Sequence, residues 1–168
     1  MDSVDRLLGR FGSPGADQVR LILDAEPHLP DPRVHAFLIA LAADPAGYDL
    51  ARIECMKILR RYPPAGPAAW RQAGRAVAAA LAEDDEVVRQ FAAMSLGPYA
   101  HDEVVFAALT AAALHDEDLD VRYNVLDALE EAGPSDRSAG LLRRLTGDPE
   151  VGNAAARVLR AWTHGASG

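Results

Sequence analysis

A short block of residues recurs along this chain, and the recurrence limits the fold more than any other feature. Aligned on an arginine, VVRQFAAMSLGP (87–98) matches DVRYNVLDALEEAGP (120–134): Val88/Val121, Arg89/Arg122, Ala92/Val125, Ser95/Ala128 and Leu96/Leu129 coincide. Each copy follows an acidic turn, Glu83-Asp84-Asp85-Glu86 or Asp116-Glu117-Asp118, and each closes on Gly-Pro, at 97–98 and 133–134. Two weaker copies flank them. One places Ala51, Arg52, Cys55, Ile58 and Leu59 in the same slots, the other Val151, Gly152, Ala155, Val158 and Leu159. The anchor moves from 52 to 89, 122 and 152, steps of 37, 33 and 30. A unit of that length, with loops that drift, is the mark of a solenoid in which each repeat buries its apolar face on its neighbours.

Second apolar segments lie between the anchored ones: Val34–Ala43, Ala68–Ala82, Val104–Leu114 and Ala139–Leu145. Their apolar residues fall at three- and four-residue spacing, so each repeat reads as two antiparallel helices. Asp44-Pro45 and Asp148-Pro149 are read as an N-cap followed by a proline at the first helical position. Gly97-Pro98 and Gly133-Pro134 are read as a left-handed C-terminal residue and a stop. No segment reads as a strand. Upstream, Val4–Phe11 and Asp17–Glu26 form one more helical pair without the signature. The expected organisation is a single all-α domain over 1–168, with capping helices in 1–30, repeats at 31–62, 67–97, 102–133 and 135–162, and a frayed tail at 163–168.

Composition agrees with that class. Aromatic residues make up 6% of the chain, and alanine is abundant, which favours close helix packing over a β-sandwich. The net charge of −8 disfavours a phosphate backbone as partner. A lone cysteine, Cys55, permits no internal disulfide or thiolate cluster. The acidic amino terminus does not read as a signal peptide, and no run is long enough to span a bilayer, so the expected location is cytoplasmic, with no membrane partner. One lysine against sixteen arginines reads as GC-rich, bacterial coding.

An acidic turn, Val-Arg, a small residue three positions on and Ala-Leu-Gly or its like beyond resembles the HEAT repeat, in a short form similar to the repeats of phycobilisome lyase subunits. Asp84-Asp85-Glu86, Val88-Arg89, Ala92 and Ser95-Leu96-Gly97 carry the resemblance best, then Asp118–Gly133; four repeats span about 31–162. The resemblance implies a right-handed α-α superhelix of about four helix pairs plus an N-terminal helical cap, the anchored helices lining a concave face. It also implies that Arg52, Arg89 and Arg122 form a structural ladder at the repeat junctions. A guanidinium suits that role, since its stem covers apolar neighbours while its donors reach carbonyls and acids; the acidic turns just upstream are the expected acceptors. Gly152 interrupts the ladder, as a terminal capping repeat would.

If the anchored helices line a groove, its residues follow each arginine: Ile53, Met56, Lys57 and Arg60; Gln90, Ala93 and Met94; Tyr123, Leu126, Asp127 and Glu130; Asn153, Ala156, Arg157 and Arg160. Such a stripe presents adaptable apolar surface with polar edges, the chemistry of a peptide- or helix-binding groove. Residues 83–131 hold thirteen acids and two arginines, a net of −11, leaving +3 for the rest. An edge of that sign steers a basic partner, although the same acids also cap helices. The five histidines, His28, His35, His101, His115 and His164, lack the pairing of a helical metal site, and Cys55 occupies a small-residue core slot. Neither a phosphate loop nor a nucleophile elbow occurs. The expected function is a non-catalytic adaptor, regulator or immunity-type inhibitor without cofactor or metal, whose partner is another protein carrying a basic or amphipathic segment. Two other classes stay open. One is an enzyme component of the bilin-lyase type, raised by the resemblance alone. The other is a HEAT-like DNA glycosylase, which Asp127 and Glu130 disfavour in the middle of the face.

Overall fold

A computed structural model describes residues 2–165. Ten α-helices and three short 3-10 turns make up its regular structure, with no strand among the described residues. The helices are α1 (Ser3–Phe11), α2 (Gln18–Ala25), α3 (Pro32–Ala43), α4 (Asp49–Arg61), α5 (Pro67–Ala79), α6 (Glu86–Ser95), α7 (Glu103–His115), α8 (Leu119–Ala132), α9 (Asp136–Leu145) and α10 (Gly152–Gly165). They pair in order, odd with even. Each even helix from α2 to α8 packs on the next even one, and α3, α5 and α7 stack in the same way, giving an α-solenoid.

Local chemistry sets the helix starts. The side chains of Asp2, Asp17, Asp31, Asp85, Asp102, Asp118 and Ser135 each accept a backbone N–H of the first turn, relieving donors that have no partner inside the helix. Pro32 and Pro67 open α3 and α5, where a missing N–H costs nothing. Arg33 ties the amino-terminal pair to the stack by bonding Asp2, which caps α1, and Asp5 within it, as well as Asp31.

Three expectations are corrected. Asp44 does not cap α4: it ends α3 and accepts Ala46 N–H in a turn, while α4 starts after Tyr48. Asp148 does accept Glu150 and Val151 N–H, ahead of a turn that runs into α10. Gly97 has no positive φ; among the described glycines only Gly15 and Gly133 do, and Gly133 at φ 85°, ψ 173° has the positive φ that favours glycine but not the ψ of a left-handed helical residue. Gly97 instead begins a 3-10 turn that delivers Tyr99 into the core, where its hydroxyl donates to Leu59 O at 2.6 Å beside the Trp70 ring. Finally, Thr163, His164 and Gly165 are helical rather than frayed, with the hydroxyl of Thr163 donating to Arg160 O and the ring of His164 in hydrogen-bond contact with it; residues 166–168 lie outside the described part.

One continuous apolar core runs from Val4 through α10 to Val158. On α4, α6 and α8 it takes the positions just before the arginine, the arginine itself, and those three, four, six and seven residues later. At about 100° per residue those slots make one arc of about 160°. The other side of the same helices is left to solvent.

Candidate functional site

The three arginines are buried, and each joins two repeats. Arg52 pairs with Glu83, Arg89 with Asp116 and Arg122 with Asp148, in every case a carboxylate in the turn of the following repeat. The same guanidinium groups donate backward to carbonyls: Arg52 to Ala42 O, Arg89 to Glu83 O and Asp84 O, Arg122 to Ala113 O. Upstream turns therefore supply mainly backbone oxygens, which the carboxyl ends of the preceding helices leave exposed, and the charge partner comes from one repeat ahead. Asp49 is the exception, an upstream carboxylate at 3.3 Å from Arg52. The Arg122 guanidinium holds the Asp148 carboxyl down at about 2. At Gly152 a Cβ would stand 2.6 Å from Thr146 O, so α10 passes too close to the preceding turn for any side chain in the arginine slot.

The expected groove residues separate into two sets. Ile53, Met56, Ala93 and Leu126 are buried. Met56, Ala93 and Leu126 stand four residues after an arginine, only about 40° round the helix from it, and so share its burial. Ile53 is one residue after Arg52 and is also buried. Lys57 and Gln90 are half-buried, while Met94, Tyr123, Asp127, Asn153 and Arg157 are exposed on the solvent side. Two of these also help the stack cohere: Gln90 donates to Asp118 at 3.1 Å and the Tyr123 hydroxyl to Glu150 O at 2.9 Å.

Between α4, α6 and α8 lies an open cavity of about 410 Å³ lined by Lys57, Arg60, Arg61, Phe91, Met94, Ser95 and Glu131. Arg60 Nη2 meets Glu131 Oε2 at 3.0 Å, across the intervening α6. Gly97 makes room for this, since a Cβ would stand 2.4 Å from Glu131 Oε2. Arg61, Phe91 and Glu131 were not among the expected residues. They were legible, since two and nine residues after the arginine place a side chain about 160–180° round the helix from it, away from the core. A neighbouring apolar cavity of about 570 Å³ is lined by Leu23, Glu26, Pro27, Leu29, Pro30 and Tyr62, joined to the first through the Arg61–Glu26 pair.

Exposed large apolar side chains are concentrated on the even-numbered helices and their flanks. Of nine among the described residues, six stand on α2, α4, α6 or α8 (Leu23, Leu50, Val87, Met94, Leu119, Tyr123) and two, Tyr48 and Tyr62, flank α4; Val104 alone is on an odd helix. Much of the acidic edge is structural. Asp85 and Asp118 cap helices, Glu83 and Asp116 hold ladder arginines, and Asp102 caps α7 while pairing with Arg75, which keeps its carboxyl below its ordinary range.

The described residues contain no group of His, Cys, Asp and Glu arranged to hold a metal ion. Cys55 is buried, and desolvation pushes its thiol up to about 12. No helix is long and apolar enough to cross a membrane. In comparison with known families, the model of HEAT repeats matches residues 75–160, just over half of the chain. Neither a curated protein nor a solved structure matches, so the finer likeness to lyase subunits has no counterpart there.

Proposed function

The chain belongs to the HEAT-repeat family, and from that premise we propose that it is a non-catalytic protein-interaction module, an adaptor, regulator or inhibitor that holds another protein on the solvent side of its even-numbered helices. One observation carries the reading: eight of the nine exposed large apolar side chains stand on those helices or flank α4. Isolated apolar residues on a surface are ordinary, but their concentration on one layer of helices, beside an open cavity with polar edges, is the anatomy of a docking face. Met94 and Tyr123 are its central contacts, and Lys57, Gln90, Asp127, Asn153 and Arg157 are its polar frame.

The test is capture from a native lysate with the wild-type chain and with a Met94→Glu/Tyr123→Glu variant, followed by affinity measurement on the purified partner. The reading expects the partner to be lost from the variant while its helical content and melting stay close to wild type. A partner held equally well by both proteins would place the contact elsewhere.

A further inference from the structure

We propose that the open cavity between α4, α6 and α8 receives an acidic segment of a partner protein. Its carboxylates meet Lys57, Arg60 and Arg61, and an apolar side chain next to them enters the neighbouring cavity beside Leu23 and Tyr62. The proposal rests on the docking reading above and names the chemistry of what docks. Lys57, Arg60 and Arg61 fall within five residues at the end of α4, and all three line the one cavity. Like charges three and four residues apart on a helix repel, so the helix keeps these together against its own stability. The carboxyl end of a helix favours cations, which accounts for Arg60 and Arg61 in the last turn but not for the half-buried Phe91 and exposed Met94 that share their cavity. Cations set beside apolar side chains in a cavity of about 410 Å³ are the makings of a site for an anion with an apolar part.

Charge selects the occupant. The lining holds three cations and one carboxylate, Glu131, while the other two counter-ions, Glu54 and Glu26, stand outside it. None of the three pairs is closed to exchange: the side chains of Lys57, Arg60 and Arg61 are 41%, 43% and 54% exposed, and ion pairs so wetted hold weakly. Donors are also left over. Arg61 bonds Glu26 through Nη1, and Arg60 directs Nε and Nη2 at the same oxygen of Glu131, so Arg60 Nη1 and Arg61 Nε and Nη2 have no hydrogen-bond partner among the described residues. A carboxylate can take such donors in pairs. The net charge of the chain is −8, but the acidic turn that opens α6 lies about 15 Å from the cavity, the length of that helix and close to two screening lengths at physiological salt. At contact the local cations set the sign. A nucleic-acid backbone, with its charges spread along the whole duplex, meets that acidic edge as well and is repelled. The second cavity, about 570 Å³ and lined mainly by apolar side chains, meets the first at Arg61, so an apolar residue next to a carboxylate in sequence suits the two together.

The probes are three labelled peptides of about eight residues, long enough at about 3.3 Å per residue to reach across both cavities, with a central pair of leucines flanked by glutamates, by glutamines or by lysines. Each is titrated by fluorescence anisotropy against the full chain. The glutamate peptide is expected to bind at least about tenfold more tightly than the glutamine peptide, and the lysine peptide to stay unbound. Arg60→Gln/Arg61→Gln and Leu23→Ser should each weaken the glutamate peptide about tenfold, whereas Arg143→Gln/Arg144→Gln, exposed on α9 and outside both cavities, should leave it unchanged. Glu131→Gln should tighten it about two- to threefold, because that carboxylate competes for Arg60; a purely structural Glu131 would not raise affinity. All variants are checked for wild-type circular dichroism. Absence of binding, equal affinity for the glutamate and glutamine peptides, preference for the lysine peptide, no gain with Glu131→Gln, or displacement of the glutamate peptide by a short DNA duplex overturns the proposal. So does self-association in sedimentation that Arg60→Gln/Arg61→Gln abolishes, since a second copy would then be the occupant. A native partner lost from Met94→Glu/Tyr123→Glu but held fully by Arg60→Gln/Arg61→Gln keeps the docking reading and overturns this one. Binding of the glutamate peptide as expected, with capture of the partner unaffected by Met94→Glu/Tyr123→Glu, does the reverse.

Discussion

Arg89 donates from Nε to Asp116 at 3.0 Å and from Nη1 to the carbonyls of Glu83 and Asp84, so a single side chain ties its own turn to that of the next repeat. Both members of the ion pair are almost fully buried. Removing one partner leaves the other desolvated and unmatched, and that dominates the cost. Arg89→Met, which keeps the stem, is expected to destabilise the fold by about 2–3 kcal/mol and Asp116→Asn by less; a urea double-mutant cycle should return a coupling of about 1–2 kcal/mol. A coupling near zero would mean that the carbonyl bonds alone matter.

The core and the docking face should separate in mutagenesis although their residues are interleaved. Leu126 is fully buried while Tyr123, three residues earlier, is exposed. Leu126→Ala is expected to cost about 2–4 kcal/mol in chemical denaturation, and Tyr123→Ala under about 1 kcal/mol. Equal losses would show that Tyr123 contributes mainly through its bond to Glu150 O.

Two glycines test what a methyl group meets. A Cβ at Gly152 stands 2.6 Å from the backbone oxygen of Thr146, whereas at Gly97 it meets the end of the Glu131 side chain. The backbone cannot yield without moving α10, but a carboxylate can swing away and release Arg60. Gly152→Ala should therefore lower stability by about 1–3 kcal/mol and Gly97→Ala by under about 1 kcal/mol, as thermal melts would measure.

The ladder also predicts an acid response. The Arg122 bond lowers the Asp148 carboxyl from its ordinary 3.8 to about 2 in the folded state. A depressed folded value adds stability that is present above the unfolded value and lost as pH falls through the folded one. Melting temperature should thus fall from about pH 4 to about pH 2, and Asp148→Asn should flatten that part of the profile. An unchanged profile in the variant would remove Asp148 from the acid transition.

Cys55 reports on opening of the core. Buried and with its thiol raised to about 12, it should resist a thiol reagent at neutral pH in the native chain and react at once in denaturant. Rapid native labelling would mean that the repeat built on α3 and α4 opens readily.

Periodicity carried most of the fold. Spacing of apolar residues located the helices, and recurrence of Arg52, Arg89 and Arg122 marked a structural role, because a residue repeated at equivalent slots answers a need shared by every repeat. The docking face was legible only in part. Met94 and Tyr123 followed from counting along the helix, but Met56, Ala93 and Leu126 were placed in the groove when about 40° separates them from a buried arginine. Leu50, Val87 and Leu119 were passed over because a first-turn aliphatic looks the same in sequence whether covered or bare.

By itself, then, the sequence determined the helix pairs, their order and the arginines at their junctions, since these depend on local spacing and on a pattern that repeats. Only the tertiary structure decided which carboxylate each arginine takes, that Gly97 is small to admit Glu131, that Gly152 yields to Thr146 O, and which apolar side chains stay uncovered. Those are contacts between segments some 6 to 71 residues apart. They depend on how far neighbouring helices lean and how closely their turns approach, and no spacing along one helix encodes that.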